Sequence, residues 1–270
     1  MKQLFIVLFL LFSCLTYSQV TIEGTISDYA EQPVRIIQYQ DYFTNKEILI
    51  KTVNTNKDGI FKVQFPLKEI QKITIKTNHT KAILFAEPAT SYNVEMGKKD
   101  TNATETIGTE SAVSMNLLNQ NDQSLNNRII YFEQMLANFY ANNNIYFAQP
   151  RILQKELLNF KNDIIKKEFS DASEFLKNYI DYSIAPIEEA CFSNHHYQYK
   201  KYFSGNIMYS LPMYMSYFEA YFKQYLKQLS LKPKGVDLFN EINEMHSYSN
   251  ALSTILKVDT LLKNDTLREL

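Results

Sequence analysis

Hydrophobic and polar positions change their period once along this chain. From residue 20 to residue 97 they alternate at every second position. In GIFKVQF, Phe61, Val63 and Phe65 fall on one side and Lys62 and Gln64 on the other. KITIKT sets Ile73 and Ile75 against Thr74 and Lys76, and SYNVEM sets Tyr92, Val94 and Met96 against Asn93 and Glu95. Such alternation marks strands with one face in a core and one in water. It predicts about seven strands, near residues 20–27, 33–40, 47–54, 59–65, 70–77, 81–86 and 90–97. Their close spacing, with no helical pattern between them, favours a small antiparallel β-sandwich. Asn56-Lys57-Asp58-Gly59 reads as a hairpin turn. Gly59 is free to take a positive φ, and Asp58 is placed to bond nearby amides. A calcium loop is excluded there, because no bidentate glutamate follows at the required spacing.

Residues 98–110, KKDTNATETIGTE, are polar and read as a linker. Beyond them the period becomes helical. Leu125, Ile129, Phe132, Leu136 and Phe139 form one apolar stripe, and Leu153, Leu157, Phe160 and Ile164 repeat it after ANNN. Asp171 with Glu174 has the spacing of a capping box ahead of Phe175, Leu176, Tyr179 and Ile180, and Pro186 is expected to break or kink that helix. Pro212 suits the first turn of the next one. On it Tyr214, Tyr217, Phe218, Tyr221, Phe222 and Tyr225 make a nearly all-aromatic stripe. Two readings of the stripe stand: packing in a core, or a half-wet face that grips a partner. A last helical stretch runs from about Val236, with an interruption near Asp259. The expected class is therefore α+β: a sandwich over 19–97, then an all-α domain over 111–270.

Composition narrows the partners. The chain has 270 residues, 45% hydrophobic and 21% charged, which is a folding composition. With 28 basic and 29 acidic residues the net charge is -1, so nothing favours nucleic acid or an anionic membrane. The opening MKQLFIVLFLLFSCLTYSQV reads as a signal peptide over 1–18, with Lys2 before a short apolar run. Two cleavages compete. Thr16 and Ser18 suit cutting before Gln19, whereas Leu11-Phe12-Ser13-Cys14 resembles a lipobox whose Cys14 would carry lipid. The bulk of Phe12 favours simple secretion. The expected location is the periplasm, with membrane attachment only through a lipidated Cys14. After cleavage Cys191 alone remains, so no internal disulfide forms and no C-x-x-C pair exists. A small buried apolar role suits Cys191 best.

No catalytic set emerges. His195-His196 are adjacent and point apart on either regular element, so they cannot chelate through one face. Glu188, Glu189 and Cys191 would complete a zinc shell only through an unusual loop. Glu188-Glu189 reads as a solvated helix face, and Lys200-Lys201 as a basic pair balanced by its surroundings. G-x-S-x-G, H-E-x-x-H, Walker and dinucleotide motifs are missing from the sequence, and no cofactor is expected. Asn78, Asn102 and Asn264 head glycosylation sequons.

The order VTIEGTIS, TNKDGIFKVQF, FAEPATSYNVEM and then SEFLKNYIDYSI resembles the N-terminal region of secreted Gram-negative thioredoxin-like proteins of the TlpA/ResA type. There a small sandwich and a helical region precede a thioredoxin domain. The resemblance implies a non-catalytic accessory region that positions or dimerises a redox domain. The family's C-x-x-C pair has no counterpart here, so no catalytic residue is carried over. The final STILKVDTLLKNDTLREL stops on an amphipathic pattern, which raises the expectation of a domain beyond Leu270. The alternative is a complete periplasmic binding or assembly protein working through the aromatic helix. The expected partner is a second copy of the chain or an envelope protein.

Overall fold

The structure, a computed structural model, describes residues 18–97, 110–192, 194–230, 239–257, 259 and 261. The expected targeting segment through Tyr17 with Cys14, the expected linker through residue 109, the sequons at Asn102 and Asn264 and much of the expected last helical stretch lie outside the described residues. Contacts divide the chain into two units, Met1–Gln134 and Met135–Leu270.

The first unit is the sandwich, and its strands fall where the alternation put them: β1 (Gln19–Ile26), β2 (Pro33–Tyr39), β3 (Glu47–Asn54), β4 (Ile60–Pro66), β5 (Gln71–Lys76), β6 (Thr80–Ala86) and β7 (Ser91–Met96). Two short strands follow, β8 (Ser111–Ala112) and β9 (Met115–Leu117), so the sheet region extends beyond residue 111 into what the pattern assigned to helices. One sheet has the order β4-β1-β7-β9 and the other β3-β2-β5-β6-β8. Most pairs are antiparallel, but β1–β7 and β6–β8 are parallel, so the sheets are mixed. Alternating residues such as Val20, Ile22, Ile36, Phe61, Val63, Ile73, Ile75, Tyr92 and Val94 meet as one apolar core.

The turn at residues 55–59 is a corner and not a hairpin. β3 pairs with β2 while β4 pairs with β1, so the turn carries the chain from one sheet to the other. Buried Thr55 fixes the corner: its Oγ1 donates to the Tyr29 carbonyl at 2.5 Å and accepts from the Gln32 amide at 3.1 Å. Asn56, rather than Asp58, closes the turn, its Oδ1 accepting from the amides of Asp58 and Ile60 at 2.9 Å each. Gly59 sits at φ +76°, where a Cβ would lie 2.3 Å from the Ile26 carbonyl oxygen. Among the polar groups Lys76 stands out. Its side chain is only 7% exposed and pairs with Glu47 at 2.5 Å and Glu110 at 3.2 Å.

Helix α1 (Leu125–Asn143) carries the predicted stripe, and its first half belongs to the sandwich unit. There the buried Asn126 side chain accepts from the Phe85 amide and donates to the Phe85 carbonyl, both at 2.8 Å. It thereby satisfies a backbone position at the end of β6 that no strand covers.

The second unit is helical. After α1 come a 3₁₀ segment (Asn144–Ala148), α2 (Pro150–Phe160) and a π-helical turn (Lys161–Ile165). Then follow α3 (Glu174–Phe192), the single-turn α4 (His195–Gln198), a second π-turn (Tyr199–Phe203) and α5 (Pro212–Ser230). Ser173 caps α3, its Oγ accepting from the Leu176 amide at 3.3 Å, in place of the expected Asp171. Pro186 does not break α3, which runs on to Phe192. The ring takes away the N–H that would bond the Tyr182 carbonyl, yet Tyr182, Ile184, Ala185 and Ile187 are all buried and hold the segment in place.

Candidate functional site

The aromatic stripe on α5 faces inward. Tyr214, Tyr217, Phe218, Tyr221, Phe222 and Tyr225 are each at most 8% exposed. Their hub is Phe203 on the second π-turn. Its ring lies 4.9 to 5.8 Å from those of Tyr214, Tyr217, Phe218, Tyr221 and Phe222. The stripe is thus the core of the helical unit, and the reading of these six residues as an open partner-binding face is corrected. Three of the four stripe hydroxyls are met internally: Tyr217 donates to Gln198 Oε1 at 3.2 Å, Tyr221 to the His195 carbonyl at 2.7 Å, and Tyr225 to Asp259 at 2.8 and 2.9 Å, while the buried Tyr214 hydroxyl has no hydrogen-bond partner among the described residues. Burial pushes the hydroxyls of Tyr202, Tyr214, Tyr217 and Tyr221 far up, and that of Tyr182 to about 12.

The densest ionisable cluster sits beside this core. Glu188, expected on a solvated face, is only 3% exposed. One carboxylate oxygen accepts from Lys161; the other accepts from Lys201 at 2.5 Å and from the Tyr202 hydroxyl at 2.7 Å. The partners come from two elements other than that of Glu188. Lys161 opens the first π-turn, Lys201 and Tyr202 lie in the second, and Glu188 lies on α3 two residues after Pro186. A π-turn inserts one residue into a helix and re-aims its side chains. Here both insertions turn a cation onto one buried carboxylate.

Burial and the neighbouring Lys201 charge push the Lys161 ammonium down to about 8, against the pull of Asp181 and Cys191. Burial raises Asp181, with both lysines opposing. Burial also raises Glu189, against His195 and a hydrogen bond with Tyr217. Cys191 is a half-buried free thiol whose pKa is raised by burial, and a raised pKa leaves little thiolate for nucleophilic attack.

His196 is exposed, whereas His195 packs edge-on against Tyr221 and Tyr225. Among the described residues no group of three or more His, Cys, Asp or Glu side chains is placed to hold a metal. No described helix is long and apolar enough to cross a membrane.

Chemically, this cluster is a clamp. One carboxylate is held by two cations, and the hydrogen-bond capacity of Glu188 is turned on residues of its own unit. The sequence did not bring Lys161, Lys201 and Tyr202 together, because they are 40 residues apart and act through π-turns that no 3.6-residue period reveals. The usable signal was Pro186 inside a helical pattern, which marked a segment held by something stronger than its own backbone.

Compared with known proteins, the chain matches no family model and no curated relative.

Proposed function

We propose that this chain is a non-catalytic scaffold of the cell envelope, exported by its leader. In this reading it is the accessory part of a thioredoxin-like thiol–disulfide oxidoreductase, whose redox domain it positions or brings into a dimer. The observation that carries the reading is the closed clamp. The residues best equipped for acid–base work, Glu188, Lys161, Lys201 and Tyr202, bond to one another. A sandwich followed by a helical unit also agrees with the feature order of the TlpA/ResA-type proteins, a support by analogy alone. Burial of the α5 stripe removes the main motive for the alternative of a binding protein that works through that face.

The test is the intact mass of the native product, taken separately from the periplasmic and membrane fractions. The reading predicts a product that continues past Leu270 into a domain with a C-x-x-C pair. A soluble product with the mass of Gln19 to Leu270 contradicts it. A diacylglyceryl increment on Cys14 would move the scaffold to the membrane surface.

A further inference from the structure

We propose that the cleft between the second half of α1 and α2 binds an extended peptide segment carrying a lysine or arginine. This goes beyond the scaffold reading and needs neither the redox domain nor the export route. The cleft has a volume of about 280 Å³, near the lower end of the ~300–1,000 Å³ typical of ligand pockets, which suits a short stretch of chain. Its floor is apolar, with the Phe139 and Phe160 rings 5.1 Å apart. Its walls are amides and carboxylates: Asn138 and Asn142 on α1, then Glu156, Asn159 and Asp163 across from them.

Amides and carboxylates together select the ligand. A side-chain amide both donates and accepts, as a peptide unit does. The side chains of Asn138, Asn142 and Asn159 are exposed and make no hydrogen bond to another described residue, so they are open to a ligand. Asn138 and Asn142, four residues apart on a helix, are separated by about 6 Å along its axis. That is close to the roughly 6.6 Å two-residue repeat of an extended chain, so both amides address peptide units on one side of it. Asn159 faces them from α2. The charged residues of the lining are Glu156 and Asp163, with no lysine or arginine among the lining residues. Asp163 meets Lys167 at 3.0 Å, but both side chains are more than 60% exposed, and such a pair yields easily to a better-placed cation. Asp163 also lies in the first π-turn, and π-turns recur at functional sites. A carbohydrate would satisfy the amides but offer no positive charge to Glu156, and a nucleic acid would be repelled.

The experiment uses the full chain and two pools of end-blocked, fluorescein-labelled decapeptides. The pools are identical and randomised except for one central position, fixed as lysine or arginine in the first and norleucine in the second. Fluorescence anisotropy is expected to show tighter binding of the basic pool. The double variant Asn138→Ala/Asn142→Ala should weaken that binding at least about 10-fold, the loss expected when two hydrogen-bonding side chains are removed. Glu156→Gln should abolish the preference between pools while some binding persists. These positions are exposed or half-buried, so wild-type circular dichroism is expected throughout. No binding of either pool overturns the proposal. So does binding unchanged in the Asn variant, or retention on an oligosaccharide array that the Asn variant abolishes while peptides fail to bind.

Discussion

The sandwich and the helical unit solve the same packing problem with different side chains. In the sandwich the core is Val, Ile, Phe and a few others from alternate positions, and most polar work is done at corners by residues such as Thr55 and Asn56. In the helical unit the core is tyrosine-rich, and a buried carboxylate with two lysines lies against it. An aliphatic core depends mainly on volume and is indifferent to pH. A tyrosine core with a charged clamp must also keep its hydroxyls neutral and its ions paired. The difference teaches that burial and pairing, not residue type, separate a chemistry-bearing side chain that holds a fold together from one left open.

The largest expected effect is a pH response weighted to the helical side of this comparison. Burial raises the pKa values of Tyr182, Tyr202, Tyr214, Tyr217 and Tyr221 above the ordinary phenol value of about 10. Below pH 10 these tyrosines are protonated in both the folded and the unfolded forms and add no pH dependence of their own. Above it the unfolded chain releases protons that the folded one keeps, so stability falls as pH rises. Each buried tyrosine then costs about 1.4 kcal/mol per pH unit until its folded pKa is reached. Helical circular dichroism should therefore collapse between pH 10 and 12 together with a steep rise in tyrosinate absorbance. The sandwich, in which Tyr92 is the fully buried tyrosine, should hold its β signal longer. Gradual tyrosine titration with helices intact would break the comparison.

Phe203→Ala should cost about 4 kcal/mol in urea unfolding, within the range for a buried aromatic, because it removes the ring on which five others pack. On the sandwich side, Gly59→Ala should cost about 2 kcal/mol through positive φ and the clash with the Ile26 carbonyl. A loss under about 0.5 kcal/mol would mean that the corner yields.

Much of the sandwich was legible because its strands are half-buried. Alternation in GIFKVQF or SYNVEM states directly which side chains face the core. What stayed hidden there was long-range: TVNTNKDGIFKVQF reads as a hairpin by its turn residues, and only the pairing of β3 with β2 and β4 with β1 shows a corner. β8 and β9, two and three residues long, are too short to carry a period. In the helical unit the stripes located α1, α2, α3 and α5. The same stripe on α5 fits both an open face and a core, since tyrosine suits either, so its role needed Phe203 from another element. The clamp was illegible for a related reason. Glu188-Glu189 looks like any acidic pair, and its burial follows from Lys161 and Lys201 arriving through π-turns.

The scaffold role requires a structural clamp, and Glu188→Gln in the full chain tests that most directly by urea unfolding. The substitution keeps the shape and leaves Lys161 and Lys201 facing a neutral amide. It should cost about 2 kcal/mol, less than the ~3–5 kcal/mol for a wholly buried pair, because the lysine side chains are 26% and 37% exposed and retain some water. Joint replacement as Lys161→Met, Glu188→Leu, Lys201→Met and Tyr202→Phe should recover most of the loss, since no buried charge or hydroxyl is then left unpaired. A Glu188→Gln protein as stable as the parent would contradict the account and leave Glu188 free for a chemical role.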